Sequence, residues 1–183
     1  MKKTLLSLLT LTTLLSAQCY YNATDVEVDW KAYKTPAKIG VKGTFDTIKL
    51  LAPQQTTQMG LLENASLKLD THSINSKNSA RDAKLVKFFF QVQNVNTIDA
   101  KIISVSKKEA LVAITMNGIT KNIPMKLDFD KDEIEAEGTI DLGDFAMLPS
   151  LHSINKACFD LHKGKTWQDV SIEFEIKTHR NCE

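Results

Sequence analysis

The sequence predicts a mostly β fold: one eight-stranded antiparallel barrel with one or two short helices. Three observations carry that prediction. After its first segment, the chain alternates apolar and polar residues with period two almost throughout, the mark of strands with one dry and one wet face. Turn residues separate these runs at short intervals. No segment reads as a helix long enough to cover such a sheet, so the dry faces must cover one another, in a sandwich or a closed barrel.

Each element follows in order. Val26, Val28, Trp30 and Ala32 alternate with Glu27, Asp29, Lys31 and Tyr33 as the first strand. After Thr35-Pro36, a second strand places Ile39, Val41, Gly43 and Phe45 on one face. Its phase slips at Asp46-Thr47, because Ile48 and Leu50 fall on the other parity. Such a slip predicts a bulge or sharp bend, the device barrels use to curve. Residues 52–63 read as a polar loop after Pro53. The third strand sets Leu67, Leu69 and Thr71 against Lys68, Asp70 and His72 and ends near Ile74. A polar turn, Asn75 to Ser79, leads to a short segment with Ala80, Leu85 and three consecutive phenylalanines, Phe88, Phe89 and Phe90. Three adjacent Phe share one face of neither a helix nor a strand, so at least one points into a cavity or to an unusual place.

The fourth strand spans 97–105. Ala110, Val112, Ile114 and Met116 form the fifth and meet Asn117-Gly118, a strong hairpin signal. Ile119, Ile123, Met125 and Leu127 return as the sixth, with Pro124 marking an edge or bulge. After Asp130-Lys131-Asp132, the seventh runs through Ile134, Ala136, Gly138, Ile140 and Leu142. Residues 143–165 break the pattern as a short helix plus loop. Val170, Ile172, Phe174 and Ile176 make the eighth strand.

The first 17 residues read as a secretory signal. Lys2 and Lys3 precede a Leu-rich run from Leu5 to Leu15, and Ser16-Ala17 offers small residues for cleavage after Ala17. That run is too short for a stable membrane anchor. Gln18 stands before Cys19 where lipoprotein processing wants a small residue. Cleavage removes two lysines and no acid, taking the formal charge from +1 to −1 and leaving 166 residues as a single domain, 18–183. A near-neutral chain whose basic runs never exceed two residues offers no electrostatic case for nucleic acid. The expected location is the periplasm.

The block from Leu67 to Phe90 resembles the YceI family of secreted bacterial lipid-binding proteins. That family shows a Thr-x-Ser-Ile strand end, a polar turn, an Arg-Asp pair, then Leu and Phe-Phe. The matching residues are Thr71, Ser73, Ile74, Arg81, Asp82, Leu85 and two of Phe88 to Phe90. Gly118-Ile119-Thr120-Lys121-Asn122-Ile123 resembles the family's Gly-x-Thr-Lys-x-Val hairpin, and Asp144-Phe145 after Leu142 is a third match. The three ordered matches span about half of the mature chain. The chain departs from the family in three places, one being a spacing from Leu85 to the Phe cluster that is shorter than usual. Lys31-Ala32-Tyr33-Lys34 stands where a His-Ser or His-Thr pair is usual, and Lys84 replaces the His that commonly follows Arg-Asp. The resemblance implies a lipocalin-like barrel with an apolar tunnel for a polyisoprenoid or similar lipid. In a closed up-and-down barrel the first and last strands are neighbours, which favours a Cys19–Cys182 disulfide with Cys158 free. Cys158–Cys182 is the alternative.

The residues expected to line the tunnel are Trp30, Phe45, Leu69, Arg81, Phe88, Phe89, Phe90, Ile114, Met116, Met125, Ile140 and Phe174. The slender Ala32, Gly43, Ala136 and Gly138 fit a tunnel by leaving volume open, and equally fit tight barrel corners. Burial of a lipid tail at about 0.8 kcal/mol per methylene needs no catalytic group. Arg81 and Asp82 are expected to brace the Phe segment as a gate. No catalytic, metal or cofactor motif is visible: four dispersed histidines, no Gly-rich phosphate loop, no Gly-x-Ser-x-Gly and no His-Glu-x-x-His. Cys158 and His162 share helical spacing, but two ligands do not make a metal site. Asp128, Asp130, Asp132 and Glu133 lack the Gly and distal Glu of a calcium loop. The expectation is therefore a non-enzymatic carrier of an apolar lipid. The rivals are a solidly packed envelope protein acting through protein contacts, and a small hydrolase using His72 or His152. A homodimer through an edge near Pro124 or an exposed Phe is compatible with the sequence.

Overall fold

The computed structural model describes residues 18–182; the expected signal segment lies outside them. The strands are β1 (Cys19–Lys34), β2 (Ile39–Phe45), β3 (Ile48–Leu51), β4 (Ser66–Asp70), β5 (Ile74–Asn75), β6 (Thr97–Val105), β7 (Glu109–Met116), β8 (Ile119–Phe129), β9 (Glu133–Asp141) and β10 (Thr166–Cys182). They form one antiparallel sheet ordered β3-β4-β6-β7-β8-β9-β10-β1-β2-β5. Only Asp46 and Thr47 separate β2 from β3, which stand near opposite ends of that order, so the sheet curls round on itself into a half-barrel.

The strand count is ten, not the expected eight. Both extra strands come from a break in a predicted strand. The Thr71-His72-Ser73 stretch leaves the ladder as a single 3₁₀ turn. Thr71 is fully buried and donates its hydroxyl to the Val95 carbonyl at 2.7 Å. Ser73 Oγ donates to Asp70 O at 2.7 Å and accepts from Thr47 N–H at 3.0 Å. Side-chain hydroxyls that bond local backbone in this way compete with the sheet. The facing strand bends at Asp46-Thr47 to match, tied by Asp46 N–H to Ser73 O and Asp70 N–H to Thr47 O.

Two hairpin details follow from chemistry. Asn117 and Gly118 both take positive φ, 52° and 73°, as a tight β7–β8 turn requires. Pro124 lies in the one stretch of β8 that pairs only with β7, since β8–β9 pairing begins at Lys126. Its missing N–H therefore costs no ladder bond.

Four short α-helices occur among the described residues, more than the one or two expected: α1 (Gln58–Glu63), α2 (Ser79–Leu85), α3 (Leu148–Ala157) and α4 (Phe159–His162). Residues 52–63 are thus not all loop. Thr57 caps α1 by accepting from Gly60 N–H, and Leu61 and Leu62 are buried in the core. The Gln58 side chain donates to Asp130 O in the β8–β9 turn and to Thr178 Oγ1. So α1 closes one end of the curled sheet. The other end, where β1 finishes and β10 begins, is covered by α2, α3 and α4.

Cys19 and Cys182 face each other in the β1–β10 register and are joined by a disulfide, while Cys158 is buried and unpaired.

Candidate functional site

The inward parity of β1 carries Val28, Trp30, Ala32 and Lys34; opposite them on β10 stand Phe174, Ile172, Val170 and Thr166. These residues wall an interior cavity of about 410 Å³. Of the predicted lining residues, Trp30, Phe45, Leu69, Ile114, Met116, Ile140 and Phe174 line it from the strands, and Arg81, Phe89 and Phe90 line it from the helical cover. Phe88 and Met125 do not. The three phenylalanines sit in a π-helical turn, Val86–Phe90, that continues α2. It turns Phe89 and Phe90 inward, edge to face at 5.0 Å, with Phe90 also 6.5 Å from Phe45. Phe88 faces away, under the Lys87 ammonium. Met125 is fully buried elsewhere and packs against Gly138, where an added Cβ would meet its side chain at 3.1 Å. Gly43 likewise leaves no void: a Cβ there would lie 2.5 Å from the Trp30 indole and 2.6 Å from Asn75 O. The glycines give room to neighbouring side chains rather than to a tunnel.

The helical cover supplies a second wall of lining residues that sequence reasoning missed. On α2, Ala80, Arg81, Lys84 and Leu85 share one face. Leu151, Ile154 and Cys158 follow at spacings of three and four along α3 and its end, then Leu161 and His162 on α4. That helical spacing inside residues 143–165 was the available signal. His72 and His152 are exposed and do not line the cavity; His162 does.

Arg81 and Asp82 do not pair with each other. Both clasp buried Ser76: Arg81 Nε donates to Ser76 Oγ at 2.8 Å and Arg81 NH2 to Ser76 O at 3.2 Å, while Asp82 accepts from Ser76 N–H at 2.9 Å and from the Ser76 hydroxyl. With Asn78 capping α2 through Arg81 N–H, this knot fixes the turn onto the helix that carries the Phe cluster.

The electrostatics of the cavity are one-sided. Its charged lining residues are Lys34, Arg81 and Lys84, joined by His162, and no carboxylate lines it. A hydrogen-bond chain sets the His162 tautomer. Asn155 Nδ2 donates to Gly164 O, Thr166 Oγ1 donates to Asn155 Oδ1 at 3.0 Å, and His162 Nδ1 must then donate to Thr166 Oγ1 at 2.8 Å. Nε2 is left as the basic atom. Burial first, then the positive charges of Lys34 and Lys84, hold the His162 pKa below its ordinary value. The outer face carries charges of both signs, with Lys31, Lys42 and Lys126 among its acids. Asp29, Glu173 and Glu137 stand in register across β1, β10 and β9 beside an outer groove of about 850 Å³. Partial burial and then the Glu137 and Asp29 charges push Glu173 up. No group of three or more metal-ligating side chains exists among the described residues, nor is any of their helices long and apolar enough to cross a membrane.

The family model for the YceI-like domain matches residues 21–178. Among solved structures, the chain is similar to a polyisoprenoid binding domain from Saccharophagus degradans implicated in plant cell wall breakdown (TM-score 0.60, 11% identity, 90% of this chain and 99% of that one). It is also similar to Burkholderia cenocepacia BcnA (TM-score 0.58, 13% identity, 84% and 96%). A mutant Campylobacter jejuni YCEI protein gives a TM-score of 0.51 at 14% identity, covering 78% and 85%. At these identities the likeness is one of fold. No curated protein matches the chain.

Proposed function

The chain belongs to the YceI-like domain family, and from that premise we propose that it carries or stores one long-chain apolar lipid, a polyisoprenoid or a fatty-acyl chain, in the cavity of its curled sheet. The observation that carries this reading is the cavity itself: about 410 Å³ left open inside an otherwise close-packed core, walled by aliphatic and aromatic side chains. An apolar tail moved there from water gains about 0.8 kcal/mol per methylene. Such binding asks nothing of catalysis, so the protein acts as a carrier and not an enzyme. The fold of the polyisoprenoid binding domain from Saccharophagus degradans, which this chain shares, supports the same assignment. The Cys19–Cys182 disulfide suits an oxidising compartment. With residues 1–17 acting as a cleavable signal, that compartment is the periplasm. A solidly packed envelope protein is the weaker reading, because the interior is not solidly packed.

The test is mass spectrometry of an organic extract of the protein, purified from its native source without detergent. One isoprenoid or acyl species at stoichiometric yield is expected. A protein of bare mature mass with an empty extract, which also fails to take up any added prenyl or acyl lipid, overturns the proposal.

A further inference from the structure

We infer that the cavity is built for a lipid with an acidic head group, a carboxylate or a phosphate, held between Lys34, Lys84 and His162. This rests on the lipid-carrier reading and adds to it the chemistry of the head.

Three elements converge to make the site. Lys34 occupies the last inward position of β1, in phase with Val28, Trp30 and Ala32. It is paired in register with Thr166, whose hydroxyl bonds His162 at 2.8 Å. Lys84 comes from the cavity-facing side of α2, one turn beyond Arg81. The charges of Lys34 and Lys84 both bear on His162. All three side chains are half-buried, and neither lysine forms an ion pair with a carboxylate among the described residues. The charged residues at the cavity wall are therefore all basic, and the third of them, Arg81, is already engaged with Ser76.

Cations gathered in a partly desolvated, apolar place are unfavourable without a counter-charge. Here the protein supplies none, and the occupant of the cavity is the remaining source. An amphiphile entering tail-first along the β1 face leaves its head at Lys34, where β1 ends. A carboxylate or phosphate there accepts charge-assisted hydrogen bonds from both ammonium groups. It also favours protonation at His162 Nε2, the one imidazole nitrogen that the Thr166–Asn155 chain leaves open.

The experiment titrates the mature protein with two matched pairs, tetradecanoate against tetradecanol and farnesyl phosphate against farnesol. Binding is read from the fluorescence of Trp30 and Trp167, both of which line the cavity. The acid of at least one pair should bind about tenfold or more tightly than its alcohol, the scale of a charge-assisted hydrogen bond. The pair with the larger gap tells carboxylate from phosphate. The Lys34→Gln/Lys84→Gln variant should lose that preference, binding the acid and the alcohol of each pair alike, and Lys34→Arg/Lys84→Arg should retain it. Acids and alcohols binding alike overturn the head-group site and leave the carrier reading standing. A preference that survives the glutamine variant also overturns it. Failure of all four ligands to bind overturns the carrier reading together with this one.

Discussion

His162 makes the protein's stability respond to pH in a direction that can be worked out. Its pKa is lowered from an ordinary 6.5 by burial and by Lys34 and Lys84. Between the folded value and 6.5 the unfolded chain binds more protons at this site than the folded one, so stability rises with pH there. The loss begins as pH drops below 6.5 and levels off once the folded value is passed. Thermal melts of the lipid-free protein from pH 7.5 to 5 should show this decline, and His162→Gln should flatten it relative to the parent. An unchanged slope in the variant would place the acid sensitivity elsewhere. The head-group residues were partly legible in the sequence. Lys34 could be read as inward because it continues the parity of Val28, Trp30 and Ala32. His162 could not, because its place depends on a short helix and on a contact with Thr166 four residues later.

Among the elements, the bend at Thr71–Ser73 and the helix beyond it were the hardest to foresee. Alternation through Leu67, Leu69 and Thr71 predicts one continuous strand, and continues correctly up to the residue where hydroxyl groups capture the backbone. The competition is decided by partners distant in sequence, Val95 for Thr71 and Thr47 for Ser73, which periodicity does not see. The Arg81–Asp82 pair was legible as a brace, though its target, Ser76, was not. That knot yields a prediction for α2. Arg81→Ala removes two hydrogen bonds to buried Ser76, taking the donor from its carbonyl and leaving its hydroxyl with Asp82 alone. It should lower the unfolding free energy by about 1–2 kcal/mol in a denaturant titration. Hydrogen exchange should quicken in residues 76–90 ahead of the sheet if the effect is local. A variant as stable as the parent, with unaltered exchange, would show that Ser76 does not hold the helix in place.

At the scale of the whole molecule, the mostly β architecture, the antiparallel order and the neighbouring first and last strands follow from alternation and turn chemistry alone. The strand count does not, because two of the predicted strands each break once. The helical cover was under-read because its segments are brief, from four to ten residues. The Cys19–Cys182 bond spans 163 residues, nearly the longest loop this chain can close. Loop-closure entropy then places its contribution near the upper end of the usual range, and Cys19→Ser with Cys182→Ser should cost about 2–5 kcal/mol of stability by chemical denaturation. A cost below ~1 kcal/mol would mean that β1–β10 pairing alone restrains the unfolded chain. The same bond makes the backbone a covalent ring that contains every strand of the sheet. One peptide cleavage in an exposed turn, such as Lys107-Lys108 between β6 and β7, opens the ring without dividing it. A singly nicked molecule gains only the water of hydrolysis and keeps its two fragments joined until reductant separates them. The first cut therefore costs the protein no part of its chain.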